Sequence, residues 1–298
     1  MRLDQIRHFI TVVEAGSIRA AARTLELSQP AITKSVRSLE NELGAALIRR
    51  TTTGVILTPS GRAFLARARA IQAEARHARE ELAQIAGHPG GAVAFGVAPV
   101  VGATVVPGAL VQFRRQYPTA SVRIVEGQTH MLLSLVRDET LDFSVGMKPD
   151  VELPKVVTFR PLFRTQFVVA ARQGHPLADA RSLRELAKAS WIDFSPRIEQ
   201  AFIAAGVPAP ARPVRCESFM ALLSTLAKTD ALGFVTTHVL AQPIARGALQ
   251  RIPVREALPT VTVGMVTRTY SPLTPVATAM TKAVIDVARR LAKGQTVD

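Results

Sequence analysis

The sequence predicts a multidomain chain in which a small, mainly helical domain, one long linker helix and a larger α/β domain follow one another. Three observations carry that reading. Residues 58 to 91 read Thr58-Pro59, then an uninterrupted helix-favouring run, then Gly87-His88-Pro89-Gly90-Gly91, the start and stop punctuation of a single long helix. Before it, apolar residues recur at helical spacing; after it, short apolar runs alternate with helical segments, the pattern of an α/β fold with mainly parallel strands. A chain of 298 residues also exceeds one average domain.

Residues 1 to 58 hold three short helices. Asp4 can cap the first, whose face is Ile6, Phe9, Ile10 and Val13 and which ends at Gly16. Ser17 caps a second helix from Ile18 to Thr24, where Ala20 and Ala21 let a neighbour approach closely, and Leu25-Glu26-Leu27 makes the turn. Ser28 caps the third, with Pro30 in the first turn, where a missing N–H is harmless. Ile32, Val36, Leu39 and Leu43 form one stripe to bury, while Pro30, Thr33, Lys34 and Arg37 project on the other side and Gln29 joins them at the exposed first turn. Such a face suits a DNA major groove: glutamine can bond adenine, threonine can touch a thymine methyl, and lysine and arginine can reach guanine or phosphate. Arg49-Arg50-Thr51-Thr52-Thr53-Gly54-Val55-Ile56-Leu57-Thr58 follows as a basic hairpin turning at Gly54. Helices and hairpin together describe a winged helix-turn-helix, whose wing contacts phosphates and fixes register without reading sequence.

The linker helix, residues 59 to 88, starts from Thr58 as N-cap and Pro59 at its first position, with Gly87 just past its end. Phe64, Ala68, Ile71, Ala75, Ala78, Leu82 and Ile85 alternate at spacings of four and three among charged neighbours, so a narrow stripe is sticky and the rest is solvated, as in a coiled-coil seam. At the helical rise the span is about 40 Å, enough to separate two domains while pairing with a second copy of itself. A surface helix packed on its own domain is the alternative.

From residue 92 to 298 the α/β pattern places strands at 92–98, 121–126, 141–145, 167–171, 191–194, 231–235 and 260–267, with helices between them and a last helix from Pro272 to Lys293.

With 37 Lys plus Arg against 23 Asp plus Glu, the net charge of +14 favours a polyanionic partner such as nucleic acid. The single cysteine, Cys216, excludes an intramolecular disulfide and a cysteine-rich zinc site and fits a reducing cytoplasm; a single-thiol redox role stays conceivable beside a structural one. The first residues lack the apolar core of a signal peptide, and no apolar run is long enough to cross a bilayer, so a cytoplasmic protein without a membrane partner is expected. His8, His77, His88, His130, His175 and His238 show no metal spacing, and no nucleophile elbow, P-loop or dinucleotide glycine pattern occurs. Neither an enzyme nor a cofactor is expected.

At this point the chain resembles the LysR-type transcriptional regulators, on Phe9 to Val13, Gly16-Ser17-Ile18-Arg19-Ala20-Ala21-Ala22, Leu27-Ser28-Gln29-Pro30-Ala31-Ile32-Thr33, Leu39-Glu40-Asn41-Glu42-Leu43-Gly44, Leu47-Ile48-Arg49-Arg50 and Leu57-Thr58-Pro59-Ser60-Gly61. The segments Asp142-Phe143-Ser144-Val145-Gly146, Gln173-Gly174-His175-Pro176-Leu177-Ala178 and Ala231-Leu232-Gly233-Phe234-Val235 extend it into the C-terminal part. The resemblance implies a recognition helix with Ser28 at its cap and Gln29, Pro30, Thr33 and Lys34 nearest the bases, and phosphate contacts from Arg37, Arg49, Arg50, Thr51 and Thr53. The family often has arginine where Thr53 stands, which shifts a phosphate contact to Arg49 or Arg50.

It also implies a periplasmic-binding-like regulatory domain of two α/β subdomains, about 92–160 with 269–298 and about 161–268, around a small-molecule cleft. Pro99, Val100, Val101, Gln128, Thr129, Met147, Phe194, Ser195, Phe219 and Thr236 are the candidate lining. Many relatives have Ser or Thr at the position of Val100, a donor for a carboxylate; without it, either Thr129 and backbone N–H groups take over or the effector is more apolar. The expectation is a ligand-responsive transcriptional regulator that binds promoter DNA as a dimer and answers a small anionic or aromatic metabolite. A tetramer and RNA polymerase complete the expected partners.

Overall fold

The computed structural model describes residues 1–51, 54–85, 90–194 and 197–293. The N-terminal domain is α1 (Leu3–Glu14), α2 (Ile18–Thr24), α3 (Gln29–Leu43) and the antiparallel hairpin β1 (Ile48–Thr51) with β2 (Gly54–Leu57), continuing directly into α4 (Pro59–Ile85). Three helices start where side-chain oxygens take orphan N–H groups: Ser17 accepts from Ala20 at 3.1 Å, Ser28 from Ala31 at 3.3 Å and Thr58 from Gly61 at 2.9 Å. The first helix corrects the expectation. Arg2, not Asp4, precedes it, and Gln5 Oε1 closes its end by accepting from the Arg2 N–H at 2.7 Å; Asp4 lies inside the first turn, where its charge suits the helix dipole.

Two small cores hold this domain, one around Ile6, Phe9, Leu39 and Leu47, the other around Val12, Ile18, Ala21, Ile32 and Val36. The buried stripe of α3 stops at Leu39, and Leu43 is exposed. The reason is local: Glu40 accepts from the Leu47 and Ile48 N–H groups at 2.8 and 3.1 Å, so the chain folds back over Leu39 after the left-handed Gly44 and leaves Leu43 uncovered. The wing is tied to the α1–α2 turn by the Val55 N–H donating to the Gly16 carbonyl at 2.8 Å. At Gly54, with φ of 140°, any Cβ would run into that same carbonyl.

The linker helix divides into two stretches. Ala68 is fully buried in the N-terminal core, with Phe64 and Ile71 packed on the same cluster and the Phe64 ring 5.5 Å from Phe9. Those three seam residues are therefore covered by their own domain. Ala75 is half-buried, Ala78 is exposed and Leu82 is 66% exposed. Ile85 ends the helix, and its side chain and the Gly87 stop lie outside what is described. Arg76 Nη2 lies 3.6 Å from Asp142 Oδ1, and Asp142 Oδ2 accepts from the Ala94 N–H at 2.8 Å, so the helix is fastened to the second domain through a buried carboxylate.

That domain runs β3 (Ala92–Val97), α5 (Pro99–Thr104), α6 (Val106–Gln116), β4 (Ser121–Glu126), α7 (Thr129–Arg137), β5 (Phe143–Met147), β6 (Val157–Arg172), α8 (Leu183–Leu186), β7 (Ile192–Asp193), α9 (Arg197–Ala204), β8 (Val214–Arg215), α10 (Phe219–Lys228), β9 (Gly233–Thr236), α11 (Thr237–Leu240), β10 (Leu249–Ile252), β11 (Thr260–Arg268) and α12 (Pro275–Ala292). β4, β3 and β5 are parallel, as βα repeats require, but β11 runs antiparallel to β5 and β6, and β6 antiparallel to β9 and β10. The sheet is thus mixed rather than mainly parallel, because the chain crosses out of one subdomain on β6 and returns on β11. β6 is one 16-residue strand in place of the short strand expected at 167–171. Its residues Val157 to Gln166 pair with β11, and from Phe167 onward it pairs with β9 and β10. The change of subdomain falls at 166/167, beyond the expected 160, and β11 belongs to the first sheet along its whole length. The last helix begins at Pro275 rather than the expected Pro272, because Thr274 caps it by accepting from the Ala277 N–H at 3.2 Å. Among the described residues no helix is long and apolar enough to cross a membrane.

Candidate DNA interface and effector cleft

On α3, Gln29, Pro30, Lys34 and Arg37 are exposed and Thr33 is half-buried, all opposite the buried Ile32, Val36 and Leu39. Ser28 is exposed but its hydroxyl is held by the cap. Arg50 Nη2 donates to Thr33 Oγ1 at 3.2 Å, joining the wing's first strand to this face, while Arg49 and Thr51 are exposed beside it. Thr53 lies outside the described residues. The first helix braces α3 from behind: Gln5 Nε2 donates to Ser38 Oγ at 3.0 Å and His8 Nδ1 lies 2.8 Å from Ser35 Oγ. Burial and the neighbouring Arg7 charge hold the His8 imidazole below its ordinary pKa.

The second site is a cavity of about 280 Å³ between the two halves of the regulatory domain. Pro99, Val100, Gln128, Thr129, Met147, Phe194, Phe219 and Thr236 line it. Val101 does not: it is fully buried in the core, since one step along α5 turns its side chain away from the cavity that Val100 faces. Ser195 lies outside the described residues. Phe167, Phe234, Lys148, Asp193 and Arg197 also line the cavity and are not among the sequence candidates. Lys148 directly follows a candidate, Met147, and Asp193 directly precedes another, Phe194, whereas Phe167, Phe234 and Arg197 require the tertiary fold to be found.

The cavity is walled mainly by apolar groups, with Phe194 and Phe219 edge to face at 5.8 Å. Arg197 opens α9 and places its guanidinium carbon 5.2 Å from the centre of the Phe167 ring, a cation–π contact. Its Nη2 also reaches to 3.8 Å from Met147 Sδ, from the second subdomain to the first. Thr236 is 3% exposed and its Oγ1 has no hydrogen-bond partner. Behind it, His238 Nδ1 is 2.8 Å from Thr165 Oγ1 on the crossing strand, and burial pushes the His238 pKa down. His175 is structural, its Nδ1 accepting from the Leu177 N–H at 3.0 Å and its Nε2 donating to the Asp230 carbonyl at 3.1 Å. Cys216 is half-buried, its Sγ directed at the Ser218 carbonyl. Among the described residues no group of three or more His, Cys, Asp and Glu could hold a metal.

Comparison with known proteins places the two domains in one architecture. The profile of the bacterial regulatory helix-turn-helix protein, lysR family, matches residues 3–62, and that of the LysR substrate binding domain matches residues 86–289. The chain is 30% identical over 292 residues to the SDS degradation transcriptional activation protein of a Pseudomonas strain, covering 95% of each chain. It has the fold of a full-length OxyR variant from Pseudomonas aeruginosa, with a TM-score of 0.71 at 24% identity over 97% of this chain and 95% of that one. It also matches full-length CbnR complexed with its target DNA, with a TM-score of 0.68 at 22% identity over 96% of this chain and all of that one. With a family profile on each side of the linker helix and full-length relatives of the same layout, this chain belongs to the LysR family of transcriptional regulators.

Proposed function

We propose that the protein works as a symmetric dimer that sets two α3 helices into successive major grooves of promoter DNA and changes that contact when a small anionic or aromatic metabolite occupies the regulatory cleft. The observation that carries the DNA half is the exposed face of Gln29, Pro30, Lys34 and Arg37 with Arg50 bonded to Thr33 alongside: glutamine and lysine reach base edges while Arg37, Arg49, Arg50 and Thr51 hold phosphates. The two-fold axis runs through the exposed end of α4, where Ala78 and Leu82 are uncovered. A dimer then reads two half-sites separated by about one helical turn or a multiple of it. Regulatory domains pair in turn to give a tetramer in the cytoplasm that bridges two such sites and presents the complex to RNA polymerase.

The effector half follows from the cavity between subdomains that the crossing strands connect. A ligand that binds the closed arrangement more tightly than the open one shifts the equilibrium by that difference and no more. The Arg76–Asp142 contact passes such a change to the linker helix. No bond is made or broken in this scheme, which therefore needs no catalytic group. Footprinting on the DNA flanking its own gene, across a salt series, tests the proposal. A protected pair of symmetric half-sites is expected; diffuse binding that disappears with salt would refute sequence-specific regulation.

A further inference from the structure

The cleft names the chemical class of its own occupant. Phe167 on β6 and Thr236 on β9 are direct cross-strand neighbours, and Arg197 stacks over Phe167. Cross-strand partners in an antiparallel pair point to the same face, so the Thr236 hydroxyl and the Arg197 guanidinium flank one aromatic ring. Two facts leave this pair with bonding capacity that no described residue uses. Thr236 Oγ1 is buried and unpartnered, and a buried hydroxyl is unfavourable unless something bonds to it. Arg197 is in no ion pair with any described carboxylate, and neither is Lys148 at the opposite side of the cavity. Of the two lining carboxylates, Asp193 is buried and already engaged, and Asp150 stands exposed at the rim.

Resting on the effector-cleft reading, we infer that the ligand is a monocarboxylate with an aromatic or branched apolar body, its carboxylate held by Thr236 and Arg197 on the second subdomain. The first subdomain supplies no hydroxyl at Val100, whose methyl groups instead face the apolar body together with Met147, Phe194 and Phe219. A carboxylate is planar and accepts from a guanidinium and a hydroxyl at once, which suits this pair better than a neutral or cationic head group. The cavity of about 280 Å³ has room for a ring-sized apolar body with its carboxylate. Because Arg197 already spans toward Met147 across the cleft, neutralising it on the second subdomain ties anion binding to closure.

The test uses purified full-length protein and a panel of aromatic and branched aliphatic monocarboxylates, each beside its primary amide, screened by thermal shift and measured by calorimetry. At least one acid is expected to bind at least tenfold more tightly than its amide. Thr236→Val, which keeps the shape, and Arg197→Gln are each expected to weaken the acid about tenfold and leave the amide unchanged. Thr129→Trp, which fills the cavity from a half-exposed position, is expected to abolish both, with circular dichroism confirming its fold. If Thr129→Trp abolishes binding while Thr236→Val and Arg197→Gln leave it intact, the seat is overturned and the cleft stands. Binding that survives Thr129→Trp overturns both. A panel in which no acid binds, or only amides do, overturns the assignment of class.

Discussion

Replacing Leu82 with Asp is expected to split the dimer while leaving every folded domain intact. Leu82 is 66% exposed in the single chain, an apolar side chain on a linker helix that no described residue covers. Complete burial of a leucine stabilises by about 1.5–3 kcal/mol, so covering the exposed two-thirds is worth roughly 1–2 kcal/mol per chain and about 2–4 kcal/mol for the pair. At about 1.4 kcal/mol per tenfold, loss of that contact weakens dimerisation roughly 30- to 700-fold, and facing carboxylates add repulsion to this lower bound. Sedimentation velocity over a dilution series reads the dissociation constant directly. Ile71→Asp supplies the contrast, because Ile71 packs on the Ile6, Phe9 and Leu39 core. It is expected to abolish cooperative melting of the DNA-binding domain. A Leu82→Asp protein that dimerises within threefold of the original would refute the pairing of this stretch. An Ile71→Asp protein that dissociates with its N-terminal domain still melting normally would refute the division of the helix.

The remaining expectations follow from single contacts. Gln29→Ala is expected to relax base preference at one position per half-site, and unchanged selectivity in a randomised-site selection would remove Gln29 from the reading set. Gly61→Ala is expected to cost about 1–3 kcal/mol, because a Cβ there overlaps the Leu47 carbonyl at the point where the linker helix clamps the wing; thermal melting should show it, and a melt equal to that of Ser60→Ala would contradict the clamp. Thr129→Val is expected to change effector affinity less than threefold, because the carboxylate seat lies on Thr236 and Arg197 across the cleft, and a tenfold loss would place a ligand contact on the Thr129 hydroxyl instead. His8 and His238 are both held below 6.5 by burial, so the unfolded chain takes up protons that the folded one refuses; stability is lost as pH falls below 6.5 toward the folded values. The melting temperature is therefore expected to fall more steeply between about pH 7 and about pH 5.5 than in a His8→Gln, His238→Gln double variant, and identical slopes would exclude these two groups as the cause.

What is legible in the sequence is what is settled within a few residues. Ser17, Ser28 and Thr58 each find their N–H partner three positions on, so cap and helix are written side by side. A repeat, by contrast, says that a stripe is buried but not by what. Ala68 and Leu82 occupy the same seam, yet the N-terminal core buries one and the other is left exposed. The full length of β6 is hidden for a related reason: Arg160, Pro161 and Arg164 interrupt its apolar run, and Pro161 is tolerated opposite Gly264, at a register shift where the strand pairing is already broken.

The cleft is the extreme case, because its polar groups are distant in sequence. Thr236, Phe167 and Arg197 meet only because β9 lies antiparallel to β6 and α9 starts above both. Local reasoning at Val100 leaves two outcomes open, a displaced polar contact or a more apolar effector. The inferred seat removes the opposition between them, since an apolar wall at Val100 and an anion seat across the cleft would be complementary halves of one amphipathic ligand site. On that inference, valine at position 100 does not measure the polarity of the effector, because the charged end of the ligand binds at the other wall.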